Sequence, residues 1–212
     1  MDRLGADFYH TVDMIKERLR GKVLPIQLPL GKEKLFQGII DIAQNKAYAF
    51  PNDPAQNPIE VAIPEDERVM IAKYRQALIE QLAGNDDEIM LAYLEGKEIA
   101  IPQLKAAIRK LTVANQIVPV LCGSALRNKG IHPLLNAIID YLPSPLDIPA
   151  AHAIDLKTEE ETFCQVSSEA PFSALAFKVV SDPFMGRLVY FRVYSGKIAS
   201  GATIFNSTSA LL

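Results

Sequence analysis

The sequence has few cysteines, no long apolar run and no large excess of charge of either sign. Its two cysteines, Cys122 and Cys164, cannot build a disulfide framework and have no metal-ligand spacing, so we interpret both as reduced thiols. No run of about 18 or more apolar residues occurs, which predicts no membrane-spanning helix and no membrane partner. The first residues also lack the apolar core of a signal peptide, so the expected location is the cytoplasm.

The charge balance excludes a strongly basic nucleic-acid binder. The 212 residues include 22 basic and 25 acidic side chains, a formal net charge of −3. Non-specific capture of nucleic acid requires a positive field, which this composition does not supply, so any contact with RNA has to be local. With 49% apolar and 22% charged residues, the sequence is typical of a globular protein with a sizeable core.

The common self-contained catalytic motifs are also absent. No Gly-x-x-x-x-Gly-Lys-Ser/Thr loop is present to hold phosphates, and there is no Gly-x-Gly-x-x-Gly loop, zinc-protease histidine pair or Cys-x-x-Cys pair. The three histidines, His10, His132 and His152, lie far apart, and we interpret them as surface or capping residues. The sequence therefore predicts no catalytic residue and no metal site.

Apolar periodicity predicts a mixed α/β organisation for the first two thirds of the chain. Phe8, Val12, Ile15 and Leu19 share one helical face, and this helix is expected to end at Gly21. The predicted strands are residues 23–30, 36–42, 46–50 and 117–122. The further predicted helices are residues 65–83, 86–95, 102–115 and 131–142.

Two of these helices have predicted apolar stripes. In the helix at 65–83 the stripe is Val69, Ala72, Tyr74, Leu78 and Leu82. In the helix at 131–142 it is Ile131, Leu134, Leu135, Ile138, Ile139 and Leu142. Both stripes are expected to face a core.

A domain boundary is predicted after the last helix, because three prolines lie within residues 143–149. The acidic and polar residues 146–170 have weak periodicity, and we interpret them as a linker or surface excursion. Strands are predicted from there at residues 172–180, 187–194 and 202–205. Three strands rarely form an independent domain, so this sheet is expected to be incomplete, with an open edge available for self-association.

Several segments resemble the translational GTPase family of elongation factor G. Residues 1–8 are similar to the stretch that follows Asn-Lys in the guanine-specificity motif Asn-Lys-Met-Asp, in which the acidic residue matches Asp2. The run Cys-Gly-Ser-Ala-Leu-Arg-Asn-Lys-Gly-Ile at 122–131 resembles the second base-contacting loop. Further matches, in the family's order, are residues 139–145, 170–178, 181–186 and 191–196.

The resemblance implies an α/β fold: the C-terminal part of a P-loop GTPase domain with an α/β insertion subdomain, followed by the first strands of a β-barrel. Residues 1–145 would be the distal GTPase domain with the insertion at about 31–115, residues 146–170 a linker, and residues 171–212 the incomplete barrel. In the family, the P-loop, both switch segments and Asn-Lys precede the position of Met1. We therefore expect a fragment that alone neither binds GTP tightly nor hydrolyses it.

The resemblance also implies four base-binding residues: Asp2, Ser124, Ala125 and Leu126. A fixed carboxylate at Asp2 would accept hydrogen bonds from N1–H and the exocyclic amine of guanine, a donor pair that adenine lacks. Backbone N–H groups around Ser124 and Ala125 would donate to guanine O6, and Leu126 would pack at the pocket. Without the resemblance, Asp2 would be an ordinary terminal carboxylate and Ser124 a cap of the following helix.

The implied function of the intact parent is GTP-dependent translocation of tRNA and mRNA on the ribosome, with GTP or GDP and Mg²⁺ as its cofactors. Its expected partners are ribosomal RNA and the ribosomal stalk protein. Two sets of basic residues could contact these partners, or could simply be exposed to solvent on helices and strands. They are Arg68, Lys73, Arg75, Lys105, Arg109 and Lys110 in the insertion, and Lys178, Arg187, Arg192 and Lys197 after it. The alternatives are another translational GTPase, of the ribosome-protection or release type, and a nucleotide-independent ribosome-interaction module.

Overall fold

The described residues, 1–19, 22–51, 53, 56–155 and 158–208, divide into two units in the computed structural model. The units are Met1–Leu142 and Pro143–Leu212. The division lies at the start of the proline-rich segment, where three prolines interrupt the helical pattern. Within these ranges, none of the helices has the length and hydropathy of a membrane span.

The first unit contains five helices and six strands among its described residues. The helices are α1 (Phe8–Leu19), α2 (Arg68–Ala83), α3 (Asp87–Leu94), α4 (Ile101–Val113) and α5 (Ile131–Tyr141). The strands are β1 (Val23–Pro25), β2 (Gln27–Leu30), β3 (Gly38–Asp41), β4 (Lys46–Ala49), β5 (Ile59–Val61) and β6 (Val118–Val120). Most of these bounds lie close to those predicted from periodicity. The strand predicted at 23–30 is instead divided into β1 and β2, which belong to different sheets, and β5 was not predicted.

The strands of this unit form two sheets. β1 pairs in parallel with β6, whereas β2, β3, β4 and β5 form an antiparallel sheet in that order. β2 is an edge strand, which suits Pro29 because proline has no N–H to donate to a second neighbour. The four-stranded sheet begins at Gln27, a few residues before the insertion expected at about residue 31.

Helix α1 begins and packs as its sequence predicts. The Asp7 carboxylate accepts the His10 N–H at 2.9 Å, which satisfies one of the free donors of the first turn. Phe8 and Val12, one turn apart on the same face, are both buried. The helix is therefore held against the core by the apolar face that its periodicity indicates. Its predicted end at Gly21 lies outside the described residues.

Helices α2, α3 and α4 share the core of the first unit with both sheets. Fully buried side chains of α2 and α4 are Leu78, Leu82, Leu104, Ile108 and Leu111. Arg75 connects α2 to the turn between β3 and β4, because its Nη1 donates to Ile42 O at 2.6 Å and to Ala43 O at 2.7 Å. This guanidinium satisfies two turn carbonyls and holds the hairpin against the helix.

The predicted stripe of α2 is partly wrong. Val69 and Ala72 are exposed, whereas Ile71, Leu78 and Leu82 form the buried face. Residues 65–67 form a 3-10 turn that precedes the α-helix. The α-helix therefore starts at Arg68, and Val69 lies in its first turn on the solvent side.

The predicted stripe of α5 is not covered in this unit. Ala137 and Tyr141 are the buried residues of the helix. Of the six residues expected to face a core, Ile131 is half-buried and the other five are between 40 and 74% exposed, namely Leu134, Leu135, Ile138, Ile139 and Leu142. Helix α4 contacts a different side of α5, where Lys105 Nζ lies 2.8 Å from Asp140 Oδ2. Amphipathicity predicted which face is apolar but not which element covers it.

The second unit is made of two hairpin-like strand pairs. Strands β7 (Ala151–Ile154) and β8 (Glu161–Cys164) pair antiparallel, as do the longer β9 (Ser173–Asp182) and β10 (Gly186–Ser195). The Asp182 carboxylate accepts the N–H groups of Phe184 and Met185, both at 2.8 Å, and thereby closes the turn between β9 and β10.

Two predictions for this unit differ from the structure. Residues 146–170, expected as a linker, contain the β7–β8 pair, whose short strands carry too little alternation to stand out in the sequence. Residues 202–205, expected as a third strand, have no strand structure. Ile204 and Phe205 are exposed there, and no strand of the described residues pairs with them. Apolar character alone does not make a strand without a partner.

The core position of Leu104 predicts a large cost of truncation. Leu104→Ala should lower the free energy of unfolding by about 2–5 kcal/mol, because the lost contacts leave a cavity. Chemical denaturation followed by circular dichroism measures this change. Leu91→Ala, at an exposed position on α3, is the matched control and should change stability by less than about 0.5 kcal/mol. Equal effects of the two substitutions would contradict the assigned core.

Candidate functional site

Two loops that are distant in the sequence meet at the end of β6. One consists of residues 1–6, before α1, and the other of residues 122–130, between β6 and α5. The Met1 amino nitrogen donates to Gly123 O at 2.8 Å. The Ser124 hydroxyl lies close enough to the Asp2 carboxylate to lower its pKa, and its Oγ also accepts the Arg127 N–H at 3.4 Å. The structure thus brings together Asp2 and Ser124, two of the four residues that the resemblance implies.

The second loop is closed by a reciprocal pair of backbone hydrogen bonds. Ser124 N donates to Lys129 O at 2.8 Å, and Lys129 N donates to Ser124 O at 2.9 Å. Glycine is required on both sides of this closure. A Cβ at Gly123 would lie 2.7 Å from Lys129 O, and Gly130 has φ of +87°. The short loop between Ser124 and Lys129 is therefore tightly constrained.

The closure determines which backbone donors a ligand would meet. The Ser124 N–H is used by Lys129 O, so Ser124 contributes its hydroxyl, which faces Asp2. The N–H groups of Ala125 and Leu126 have no hydrogen-bond acceptor among the described residues. The backbone N–H groups that could donate to a ligand are therefore those of Ala125 and Leu126, and not that of Ser124.

The charges around Asp2 keep its carboxylate ionised. The nearby Ser124 hydroxyl holds the pKa of Asp2 below its ordinary value, and this effect outweighs the partial burial that would raise it. Arg127 lowers the pKa further, with its Nε 3.9 Å from Asp2 Oδ2. Asp2 is consequently an anionic hydrogen-bond acceptor at neutral pH.

The surroundings of this acceptor are open on one side and apolar on the other. Leu126 is 90% exposed, so its side chain is free to lie against a flat ligand. Cys122 is buried beneath the loop, and burial raises the pKa of its thiol to about 12. Cys122 is therefore a neutral packing residue, as the sequence predicts, and not a nucleophile.

The described residues contain no cluster of three or more histidine, cysteine, aspartate or glutamate side chains suited to a metal ion. The site instead offers an anionic acceptor and neighbouring N–H donors. That donor and acceptor set fits the edge of a guanine ring, which presents two donors next to one acceptor. It does not fit a triphosphate, because the ionised Asp2 carboxylate would repel the negative charge of the phosphates.

Comparisons with known proteins establish the family of the chain. The family of the elongation factor Tu GTP binding domain matches residues 1–144. The chain belongs to this family. Two curated proteins named elongation factor G, from Dehalococcoides mccartyi strains BAV1 and CBDB1, are 51% identical to the chain over 209 residues. That match covers 98% of the chain and 30% of each relative, so the chain spans about a third of their length.

A solved structure supports the same fold. A crystal structure of a protein from Thermus thermophilus is similar with a TM-score of 0.72 and 30% identity. The match covers 93% of this chain and 27% of the other chain. The predicted α/β fold and the predicted resemblance to elongation factor G are confirmed, and a nucleotide-independent module is not favoured.

Most cations of the predicted docking face have partners within the first unit. Arg75 binds the carbonyls of the β3–β4 turn, Lys105 binds Asp140, and Lys110 Nζ lies 2.8 Å from Asp86 Oδ2. Arg109 Nη1 donates to Leu142 O at 3.0 Å, near the end of α5. These contacts favour structural roles for the four side chains. The stalk contact stays a prediction.

Sequence reasoning missed three residues near Asp2. Arg127 lies beside the carboxylate, and Glu33 and Lys129 form hydrogen bonds to or from the two loops. Glu33 and Lys129 act on backbone groups far away in sequence, and such contacts leave no spacing or periodicity to recognise. For Arg127 the only available signal was its position next to Leu126 in the second loop.

The Asp2 environment predicts a measurable titration shift. Ser124→Ala should raise the pKa of Asp2 towards its ordinary value, because the hydroxyl that stabilises the charged form is lost. NMR titration of ¹³C-labelled carboxyl groups measures the shift. Asp182, whose pKa is lowered by the N–H groups of Met185 and Phe184, is an internal control that should not move. An unchanged Asp2 pKa would show that Ser124 does not stabilise the charge.

Proposed function

We propose that Asp2, Ala125 and Leu126 recognise the guanine base of GTP or GDP, with Ser124 holding Asp2 in place. The observation that carries this proposal is the ionised Asp2 carboxylate next to a constrained loop with unused N–H donors. Guanine N1–H and the exocyclic amine would donate to Asp2, and O6 would accept from the Ala125 N–H. Hydrogen bonds to a charged acceptor are the stronger kind, so Asp2 would supply most of the discrimination.

The state of Asp2 makes this recognition insensitive to pH in the neutral range. A carboxylate with a lowered pKa stays charged above that pKa and loses its charge only as the pH falls through it. The donor pair of guanine therefore meets an anion throughout the neutral range. Adenine offers no such pair at this position and would leave the charge unpaired.

The intact parent is proposed to be a cytoplasmic factor of the elongation factor G type that moves tRNA and mRNA on the ribosome. Its support is the 51% identity with two proteins of that name over nearly the whole chain. The uncovered apolar stripe of α5 also supports a larger GTPase domain in the parent. GTP bound with Mg²⁺ would supply the phosphoryl group whose hydrolysis drives the cycle.

The contributions of this chain to that function concern the base and not the phosphates. Residues 1–6 and 122–130 form one side of a nucleotide site, and no phosphate-holding motif occurs in the sequence. The parent's remaining residues would hold the phosphates and Mg²⁺. We also propose that the parent contacts the ribosomal stalk protein. The open strands of the second unit would allow self-association.

A chimera tests the base contact. The Dehalococcoides mccartyi elongation factor G would carry this chain in place of its matching segment, with and without Asp2→Asn. The asparagine amide can donate to the oxo group that replaces the amine in xanthine. We expect Asp2→Asn to weaken GTP affinity by about tenfold or more and to strengthen XTP affinity, measured by competition with a fluorescent nucleotide.

The exposed Asp13 on α1 provides the matched control. Asp13→Asn removes a carboxylate of the same chemistry that pairs with Lys16 on the surface. This variant should leave both affinities unchanged. If Asp2→Asn kept the GTP and XTP affinities of the parent chimera, the assigned contact would be wrong.

A further inference from the structure

The segment between β2 and β3 contacts both loops of the candidate site. We call residues 31–37 the insertion turn. Glu33 holds the first loop twice, because its N–H donates to Met1 O at 3.0 Å and its Oε1 accepts the Gly5 N–H at 2.7 Å. These two bonds lie on either side of Asp2 in the sequence. The position of the Asp2 backbone is therefore tied to the insertion turn.

The second loop is tied to the same turn through one side chain. Lys129 Nζ donates to Phe36 O at 2.9 Å, and the Lys129 backbone closes the loop onto Ser124. Phe36 is buried in the core of the first unit. Lys129 thus connects the loop that carries the Ala125 N–H to a fixed point of the core.

The backbone of the insertion turn is tightly constrained. Gly31 has φ of +79°, and a Cβ there would lie 2.1 Å from Leu35 O, so a larger residue does not fit. Glu33 itself has φ of +53°, an uncommon and costly conformation for a residue with a side chain. Gln37 N donates to Leu30 O at 3.0 Å and closes the turn at its base.

We infer that Glu33 and Lys129 are positioning residues that set guanine specificity, by holding Asp2 and the Ala125 loop at a fixed separation through the insertion turn. The inference rests on the proposed guanine contact. Neither side chain needs to touch the nucleotide. Each side chain restricts the motion of a loop that would contact the nucleotide. Removal of either side chain should therefore weaken the hydrogen bonds between guanine and Asp2 most, because these bonds are the most sensitive to geometry.

Discrimination between GDP and IDP measures that geometry. Inosine lacks the exocyclic amine of guanine but keeps N1–H, O6 and the phosphates, so the ratio of the two affinities reports the amine contact with Asp2. In the chimera defined above, the unsubstituted chain should bind GDP about tenfold more tightly than IDP. Glu33→Ala and Lys129→Met should each lower this ratio to about threefold or less, because Asp2 or its partner loop is no longer held.

Conservative variants separate positioning from general damage. Glu33→Gln keeps an oxygen that accepts the Gly5 N–H, and Lys129→Arg keeps a donor for Phe36 O, so both should retain the ratio of the unsubstituted chain. Lys34→Ala changes an exposed side chain of the same turn and is the matched control. Thermal unfolding of every variant establishes that the compared proteins are folded, and Lys129→Met carries the test if Glu33→Ala does not fold.

A second measurement needs no nucleotide. Amide hydrogen exchange at Gly5 should become faster in Glu33→Ala and stay unchanged in Lys34→Ala, because only the former removes the acceptor of that N–H. Equal loss of GDP and IDP affinity in Glu33→Ala and Lys129→Met, with the ratio kept, would overturn the positioning role. A ratio near one in the unsubstituted chimera would instead overturn the guanine contact itself, so the two failures are distinguishable.

Discussion

The proximity of the Ser124 hydroxyl to the Asp2 carboxylate is the constraint on which the rest of the candidate site depends. It places one anion at the point where the loop before α1 meets the loop after β6, and it keeps that anion charged. The remaining contacts surround it: Met1 binds Gly123, and Ser124 and Lys129 close the second loop. A purine recognised through its donor pattern needs such an acceptor held in advance, because its discrimination comes from a few directional bonds.

The two sheets of the first unit are joined by backbone hydrogen bonds of one residue. Ile26 stands between β1 and β2. Its N–H donates to Val120 O at the end of β6, and its carbonyl accepts the Ile42 N–H from the end of β3, both at 3.0 Å. The sheet of β1 and β6, which leads into the second loop of the candidate site, and the four-stranded sheet are therefore joined through the buried Ile26.

Periodicity and turn residues predicted most elements of the first unit: α1 buries Phe8 and Val12 on the face that its spacing indicates, and α4 and the β3–β4 hairpin form at their predicted positions. The meeting of Asp2 and Ser124 at one site was predicted from a family resemblance, because no local pattern links residues so far apart. Sequence reasoning failed where the outcome depends on a partner: Val69 is exposed, the α5 stripe is uncovered, and residues 202–205 have no neighbouring strand among the described residues. Glu33 and Lys129 bind backbone atoms, which carry no sequence signal.

Base recognition and phosphate chemistry are built from separate parts of a nucleotide site of this kind. The contacts that hold Asp2 and the Ala125 loop lie within the first unit and come from Met1, Glu33, Ser124 and Lys129. None of these contacts requires a phosphate group or a metal ion to form. On the proposed guanine contact, loss of the Glu33 or Lys129 contacts should therefore change base preference without changing the groups that hold the phosphates. On the proposal that both loops contact guanine, the insertion turn, which lies between them in the chain, would hold the two loops at a fixed distance through Glu33 and Lys129.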